Sequence, residues 1–183
     1  MLKHAKYVFI ILSLMLSSCA GKVRVEEMVY IQKSASFSKW SETIYIHGVE
    51  GSQSSNELVS TPGIDNKDFK IVVERSLNSA GLIAKSEKLA PYYLDVLLMN
   101  THTPSLGGID VHATAQINYR LFDKVSNRDL LNQSITSQYT APFSAAYAFP
   151  LRVRRALEGA IKANMEQVIH RINGLELPLE TKD

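Results

Sequence analysis

Residues 111–121 carry the strictest alternation of apolar and polar side chains in this chain. The apolar positions are Val111, Ala113, Ala115, Ile117, Tyr119 and Leu121, and the polar positions between them are His112, Thr114, Gln116, Asn118 and Arg120. Successive side chains of a strand point to opposite faces, so the alternation predicts a strand with one buried and one wet face. A half-buried strand needs strand neighbours and a covering layer, so this stretch predicts a layered fold built on a sheet.

The remaining sequence supplies three more strands and two helices. Runs of β-branched and aromatic residues predict strands at 42–51, 92–102 and 130–140, and the second has apolar residues on both faces, as expected for a central strand. The first helix is predicted to have Asp65 or Asn66 as its N-cap and to end at Gly81, and the last to begin at Pro150 and end at Gly174. This order predicts an α+β fold in two layers, a four-stranded mixed sheet with two helices on one face.

The topology predicts where a binding site should lie. Because helical crossovers are right-handed, the first two strands should run parallel, the third should turn back and the fourth should run with the second. Residues 51–64, 103–109 and 141–149 then meet at one end of the sheet, which we call the loop-rich end. Both long helices also begin there, so we expect any binding site at this end.

The stretch from Glu42 to Gly174 resembles small α+β lipoproteins of the bacterial envelope, such as the lipopolysaccharide-assembly lipoprotein and the YajG-type lipoproteins. The resemblance consists of the element order together with the pattern Phe69…Leu77…Gly81-Leu82. It implies a fold and an envelope setting, and it carries over no functional residue because no motif fixes the correspondence.

The first twenty residues have the organisation of a secretory signal peptide. Lys3 and Lys6 precede an apolar run, Tyr7 to Leu16, that is shorter than the roughly 20 residues needed to cross a bilayer. The run ends in Leu16-Ser17-Ser18-Cys19, which resembles the lipobox of bacterial lipoprotein precursors. That resemblance implies cleavage before Cys19, a diacylglyceryl group on its sulfur and an acyl group on its new amine, with no other cofactor. An uncleaved anchor, or an ordinary signal peptide with an incidental cysteine, is the alternative.

The sequence is thereby divided into four parts. These are a signal peptide at 1–18, the lipidated Cys19 with a tether through residue 41, a single α+β domain at 42–175 and a tail at 176–183. Ala20, not Asp, follows the cysteine. In the sorting rule known for enteric lipoproteins, this implies a lipid anchor in the outer membrane with the domain on the periplasmic side.

The charge of the chain argues against a nucleic-acid partner. The net charge of +2 comes entirely from Lys3 and Lys6, so the chain after the predicted cut carries 18 basic and 18 acidic residues. A neutral domain produces no long-range field to attract a polyanion. The single cysteine is assigned to lipid attachment, so stability must come from an apolar core rather than a disulfide.

Three arginines are candidate binding residues. Arg152, Arg154 and Arg155 lie in the first turns of the last helix, where positive charge opposes the helix dipole. They are suited to anionic headgroups or to an acidic partner surface. Alternatively, they form a solvated face whose guanidiniums reach Glu158 or nearby carboxylates.

The connection before that helix is apolar and aromatic. Phe143, Tyr147 and Phe149 stand beside small residues and are candidates for contact with a protein or an acyl chain. Alternatively, they fold over the end of the sheet as a lid on the core.

Metal binding and catalysis have little support in the sequence. His47, His102 and His112 are expected near the loop-rich end, but no pair has helical ligand spacing, so we predict no metal site. The motifs of serine hydrolases and of phosphate-binding loops do not occur in the sequence, and we predict no catalytic residue.

Two functions of different classes remain. The first is a non-enzymatic lipoprotein, held on the membrane by Cys19, that binds an envelope protein as an accessory of an assembly or transport system. The second is a lipid- or glycolipid-binding module in which the arginines meet a headgroup and the aromatic residues meet acyl chains.

Overall fold

The computed structural model of this chain describes residues 22–33, 38–51, 63–103 and 109–176. Four strands form one sheet, namely β1 (Ile44–Glu50), β2 (Tyr92–His102), β3 (Val111–Asp123) and β4 (Arg128–Ala141). They are accompanied by helices α1 (Val25–Met28), α2 (Asn66–Ser79) and α3 (Phe149–Gly174), and by a one-turn 3-10 helix at Phe143–Ala145. The predicted α+β fold, a four-stranded mixed sheet with two long helices, is confirmed.

The strands lie side by side in chain order. β1 pairs in parallel with β2, whereas β3 is antiparallel to both β2 and β4, as the crossover argument predicts. The register places Ile117 opposite Leu98 on one side and Ile135 on the other, so a row of apolar side chains crosses three strands. β1, β2 and β4 consequently end at the same end of the sheet.

Both long helices begin at this loop-rich end, although residues 52–62 and 104–108 lie outside the described residues. The N–H of Gly51, directly after β1, donates a 2.9 Å hydrogen bond to Oδ1 of Asn66, the first residue of α2. α3 begins at Phe149, a few residues after Ala141 ends β4 opposite Val111. The helices therefore run back along the sheet from one shared end.

Local interactions set both ends of α2. Asp65 is the N-cap, and its Oδ1 accepts a 2.7 Å hydrogen bond from the N–H of Asp68, which lowers the pKa of the Asp65 carboxyl. Past the other end, Gly81 has a φ of +69°, a left-handed conformation that glycine adopts without a Cβ clash. The N–H of Leu82 then donates to the Leu77 carbonyl at 3.1 Å. The structure thus selects one of the two predicted N-caps and confirms the glycine end.

A buried polar network joins α3 to the sheet. Asn164 is fully buried, and its Oδ1 accepts a 2.8 Å hydrogen bond from the Tyr119 hydroxyl. Its Nδ2 lies 2.9 and 3.1 Å from the carbonyl oxygens of Ile135 and Ala115 and 3.0 Å from Ser137 Oγ. Burial raises the pKa of the Tyr119 phenol well above its ordinary value, so the phenol remains a neutral donor. The network fixes α3 over β3 and β4.

Residues 22–33, which we call the N-terminal segment, pack between α2 and α3. Val23, Met28 and Val29 are all buried in the main core. The N–H of Tyr30 donates to Ser76 Oγ on α2 at 3.0 Å. The sequence predicts a tether here, and the structure instead makes this stretch part of the domain. A few spaced apolar residues among charges give too weak a periodic signal to predict such packing.

None of the helices in the described part of the chain is long and apolar enough to span a bilayer. The predicted signal peptide, Cys19 and residues 177–183 of the tail lie outside the described residues.

Candidate functional site

The three candidate aromatic residues lie together at the loop-rich end but differ in exposure. Tyr147 is 91% exposed and Phe143 is 47% exposed, and their rings meet edge to face with centroids 6.1 Å apart. Phe149 is half-buried and packs against the main core. Phe149 therefore covers the core, as one interpretation of the sequence predicts. Phe143 and Tyr147 form an exposed patch, as the other interpretation predicts.

Arg152 holds this aromatic connection in place. Its guanidinium lies 4.9 Å from the Phe143 ring centroid and 5.8 Å from that of Phe149. Its NH1 donates to the carbonyl oxygens of Ala146 and Tyr147 at 2.8 and 2.9 Å. Because the residue is only 6% exposed, its charge is used inside the chain to order the segment that carries the exposed rings.

The other two candidate arginines have different surroundings. Arg154 Nε lies 3.4 Å from Oε1 of Glu158, in an ion pair whose two side chains are 12% and 3% exposed. This ion pair matches the alternative interpretation of the sequence, in which the arginines reach Glu158 or nearby carboxylates instead of a binding partner. Arg155 is exposed, and its NH1 donates to the Ala145 carbonyl. The three arginines therefore lie close in sequence without forming one exposed cationic cluster.

A cleft of about 790 Å³ opens between the N-terminal segment, α3 and the end of β4. Its walls combine cationic, anionic and aromatic side chains. They include Arg24, Glu27, Tyr30, Lys33, Tyr139, Arg155, Glu158, Lys162 and Glu166. Of the candidate residues predicted from the sequence, Arg155 alone is on this wall. The rest of the cleft depends on the packing of the N-terminal segment, which the sequence does not reveal.

The face of the sheet away from the helices, which we call the open face, is the second surface that sequence reasoning misses. Leu97 and Met99 on β2 are 41% and 45% exposed there. β2 is central in the sheet as predicted, yet the helices of the described residues cover only one of its faces. The apolar residues on the second face of β2 were interpreted from the sequence as a sign of burial. They are the sequence signal from which this exposed surface could have been predicted.

Polar and aromatic contacts hold the side chains around Leu97 in fixed positions. The His47 ring stacks on Tyr93 with centroids 5.2 Å apart, and its Nδ1 lies 2.8 Å from Asp95 Oδ1. Arg120 Nε donates to Asp129 Oδ1 at 2.8 Å, which extends the charged row across β3 to β4. The open face is therefore an apolar centre beside an ordered, charged border.

The histidines do not converge. His47 contacts Asp95, whereas His112 Nδ1 lies 2.7 Å from Thr140 Oγ1 on the neighbouring strand. Among the described residues, no group of three or more His, Cys, Asp or Glu side chains is arranged to hold a metal ion.

No protein-family model and no curated protein sequence matches this chain. Solved structures nevertheless share its fold. A Xanthomonas campestris protein described by the family model DUF330 superposes with a TM-score of 0.54 at 15% identity, over 84% of this chain and 94% of its own. The hypothetical protein CT253 of Chlamydia trachomatis gives a TM-score of 0.50 at 10% identity, over 74% and 97%.

A minor lipoprotein of Acinetobacter baumannii gives a TM-score of 0.49 at 13% identity, over 73% of this chain and 93% of its own. At such low identities, the Xanthomonas and Chlamydia structures show that this chain has a fold used by other bacterial proteins, and nothing more specific.

Proposed function

We propose that this chain is a lipoprotein anchored by Cys19 in the outer membrane, and that its domain faces the periplasm and binds a protein partner. In this role it is a non-enzymatic accessory of an envelope assembly or transport system. The lipobox Leu16-Ser17-Ser18-Cys19 supports the anchor. Each buried methylene of an acyl chain contributes about 0.8 kcal/mol, so several chains hold a protein on a membrane where one does not.

The open face is the observation that carries the binding role. Leu97 and Met99 expose apolar surface in the middle of a sheet, and exposed apolar patches with polar borders mark interaction sites. The row of His47, Asp95 and Arg120 borders the patch. The side chains of this row already contact one another, so a partner can bind them without first reordering long side chains.

Metabolic labelling tests the anchor. Labelled palmitate should enter the wild-type protein and not the Cys19→Ala variant, and globomycin should leave a diacylglyceryl-modified precursor uncut. Equal labelling of the two proteins would end the lipoprotein proposal.

Site-specific photocrosslinking in cells tests the partner. A photoreactive amino acid at Asn118, which pairs with Leu97 across the sheet, should give one discrete adduct. The double substitution Leu97→Ser with Met99→Ser should abolish that adduct while the domain remains folded. Val125→Ser is the matched control, since Val125 is 86% exposed elsewhere, and it should leave the adduct intact. An adduct that survives the double substitution would show that the open face is not the binding surface.

The cleft supports the second candidate function, a lipid- or glycolipid-binding module. Arg155 and Lys162 provide cations for a headgroup, and the Tyr30 and Tyr139 rings provide apolar surface. Lipid extracted from purified Cys19→Ser protein should then be stoichiometric, and Arg155→Glu with Lys162→Glu should remove it. Protein that purifies without stoichiometric lipid would rule this function out.

A further inference from the structure

The N-terminal segment enters the fold at the loop-rich end. Lys22 Nζ lies 2.9 Å from a carboxylate oxygen of Asp68 and 3.3 Å from one of Asp65, both at the start of α2. Hydrogen bonds to these two carboxylates raise the pKa of the Lys22 ammonium. Val23, the next residue, is only 4% exposed. The chain is therefore fixed to the domain from this point onward.

Very little chain separates this point from the proposed lipid. Only Ala20 and Gly21 lie between Cys19 and Lys22. At 3.8 Å per step, the Cα atom of Cys19 is within about 11 Å of the Cα atom of Lys22. If Cys19 carries acyl chains, as the proposed function requires, its Cα lies at the level of the lipid headgroups. The loop-rich end is then held against the bilayer.

This end presents exposed apolar and aromatic side chains. Ile109 is 78% exposed, and Tyr147 and Phe143 are exposed beside it, since the N–H of Phe143 donates to Asp110 Oδ1 at 3.1 Å. Arg152 orders the segment that carries both rings. Outer strands of a four-stranded sheet are about 15 Å apart, so these side chains and Lys22 belong to one small surface.

Exposed aliphatic residues also occur at the opposite end, where Leu89 is 72% and Val125 is 86% exposed. α2 has 14 residues and is about 21 Å long, and it separates the two ends of the domain. A cysteine within about 11 Å of Lys22 keeps the loop-rich end near the bilayer, whereas the far end can stand off by the length of α2. Chain length therefore selects the loop-rich end.

We infer that the described residues at the loop-rich end form a membrane-contact surface, in which Tyr147, Phe143 and Ile109 lie in the headgroup region of the phospholipid bilayer that anchors Cys19. Tyrosine suits this depth because its ring is apolar and its hydroxyl remains wet. The strands then stand away from the membrane plane, and the open face is left accessible from the periplasm. Three of the anionic groups at this end, Asp65, Asp68 and Asp110, each accept a bond from the chain itself, and Glu50 is exposed at the end of β1.

Depth-dependent fluorescence quenching tests this surface. The full lipidated protein is reconstituted in vesicles of phosphatidylethanolamine and phosphatidylglycerol that contain a nitroxide-labelled lipid. Cys19 is the only natural cysteine and is blocked by lipid, so Ser144→Cys and Val125→Cys each give one labelling site. A fluorophore at residue 144 should be quenched severalfold more strongly than one at residue 125. Equal quenching, or stronger quenching at 125, would overturn the inference.

Two controls separate this inference from the anchor on which it rests. The intact mass of each sample reports lipidation of Cys19, and an unlipidated mature chain would contradict the proposed function itself. In lipidated protein, Phe143→Ser with Tyr147→Ser should reduce quenching of the fluorophore at 144 severalfold, whereas Leu89→Ser should not. Unchanged quenching in the aromatic double variant would show that the two rings do not contact the bilayer.

Discussion

The backbone N–H of Arg24 donates a 2.8 Å hydrogen bond to Oε1 of Glu158, a buried residue on α3. The guanidinium of Arg154 lies 3.4 Å from the same oxygen. One side chain of the last helix therefore holds the start of the N-terminal segment against the domain. Burial raises the pKa of Glu158, and the Arg24 N–H and the two guanidiniums only partly offset this effect.

Glu158→Gln should change how stability depends on pH. Since the folded-state pKa is raised, the folded protein binds this proton more tightly than the unfolded chain does. The contribution of the carboxyl to stability is therefore complete below its unfolded pKa and is lost as pH rises through the folded pKa. The free energy of unfolding of the wild type, relative to Glu158→Gln, should fall as pH rises above the ordinary glutamate pKa of about 4.3.

Urea unfolding at several pH values measures this difference. The glutamine retains an acceptor for the Arg24 N–H, so the comparison isolates the titrating proton. A difference that is flat or rises with pH would contradict the assignment.

Gly159→Ala should destabilise the protein although alanine favours helices. The new Cβ would overlap Cγ and Cδ1 of Tyr139, whose ring contacts α3 at this position. Overpacking of this kind costs about 1–3 kcal/mol. In a Tyr139→Ser background the same change should instead stabilise the protein by up to about 1 kcal/mol, because only helix propensity remains. Thermal unfolding of the four proteins measures both effects, and the same sign in both backgrounds would contradict the predicted contact.

Asn164→Leu should cost about 2–4 kcal/mol, since it leaves the Tyr119 hydroxyl and strand carbonyls buried without their partner. Tyr119→Phe should cost less, about 1–2 kcal/mol, because it leaves one acceptor unpaired. The two losses should be strongly non-additive in denaturant unfolding. Strict additivity would show that the Tyr119–Asn164 hydrogen bond contributes little.

Met28→Ala should destabilise the domain by about 2–5 kcal/mol, since Met28 is 0% exposed and its removal leaves a cavity. Ile31→Ala is the matched control, because Ile31 is in the same segment and 58% exposed, and it should have little effect. Chemical denaturation compares the two variants. Equal stabilities would mean that the N-terminal segment is not part of the core.

The fold could be predicted largely from local patterns. The alternation from Val111 to Leu121 sets β3, and Asp65 and Gly81 set the limits of α2, because capping and strand alternation depend on neighbouring residues. β3 and β4 extend one or two residues beyond their predicted limits where pairing continues, as Arg128 does opposite Asp123, whereas β2 has the predicted limits and β1 is shorter than predicted.

The candidate site was less predictable, because it depends on contacts between residues distant in sequence. No local pattern shows that Arg152 turns inward to bind the Ala146 and Tyr147 carbonyls. Nor does one show that Glu158 accepts a hydrogen bond from a residue 134 positions earlier. The sequence did contain one signal of the open face, namely the apolar residues on the second face of β2. Their exposure could not be predicted, because it depends on the absence of a covering layer among the described residues.

The docking of residues 22–33 has a consequence for biogenesis. Secreted chains cross the inner membrane from the N-terminus, yet the groove that receives this stretch is built from α2 and from α3 at the other end of the chain. If the chain is exported in this way, as the proposed lipoprotein role requires, the groove cannot exist until almost the whole polypeptide has crossed. Residues 22–33 then cannot dock during export, so the proposed lipidation and cleavage at Cys19 would precede the packing of this segment.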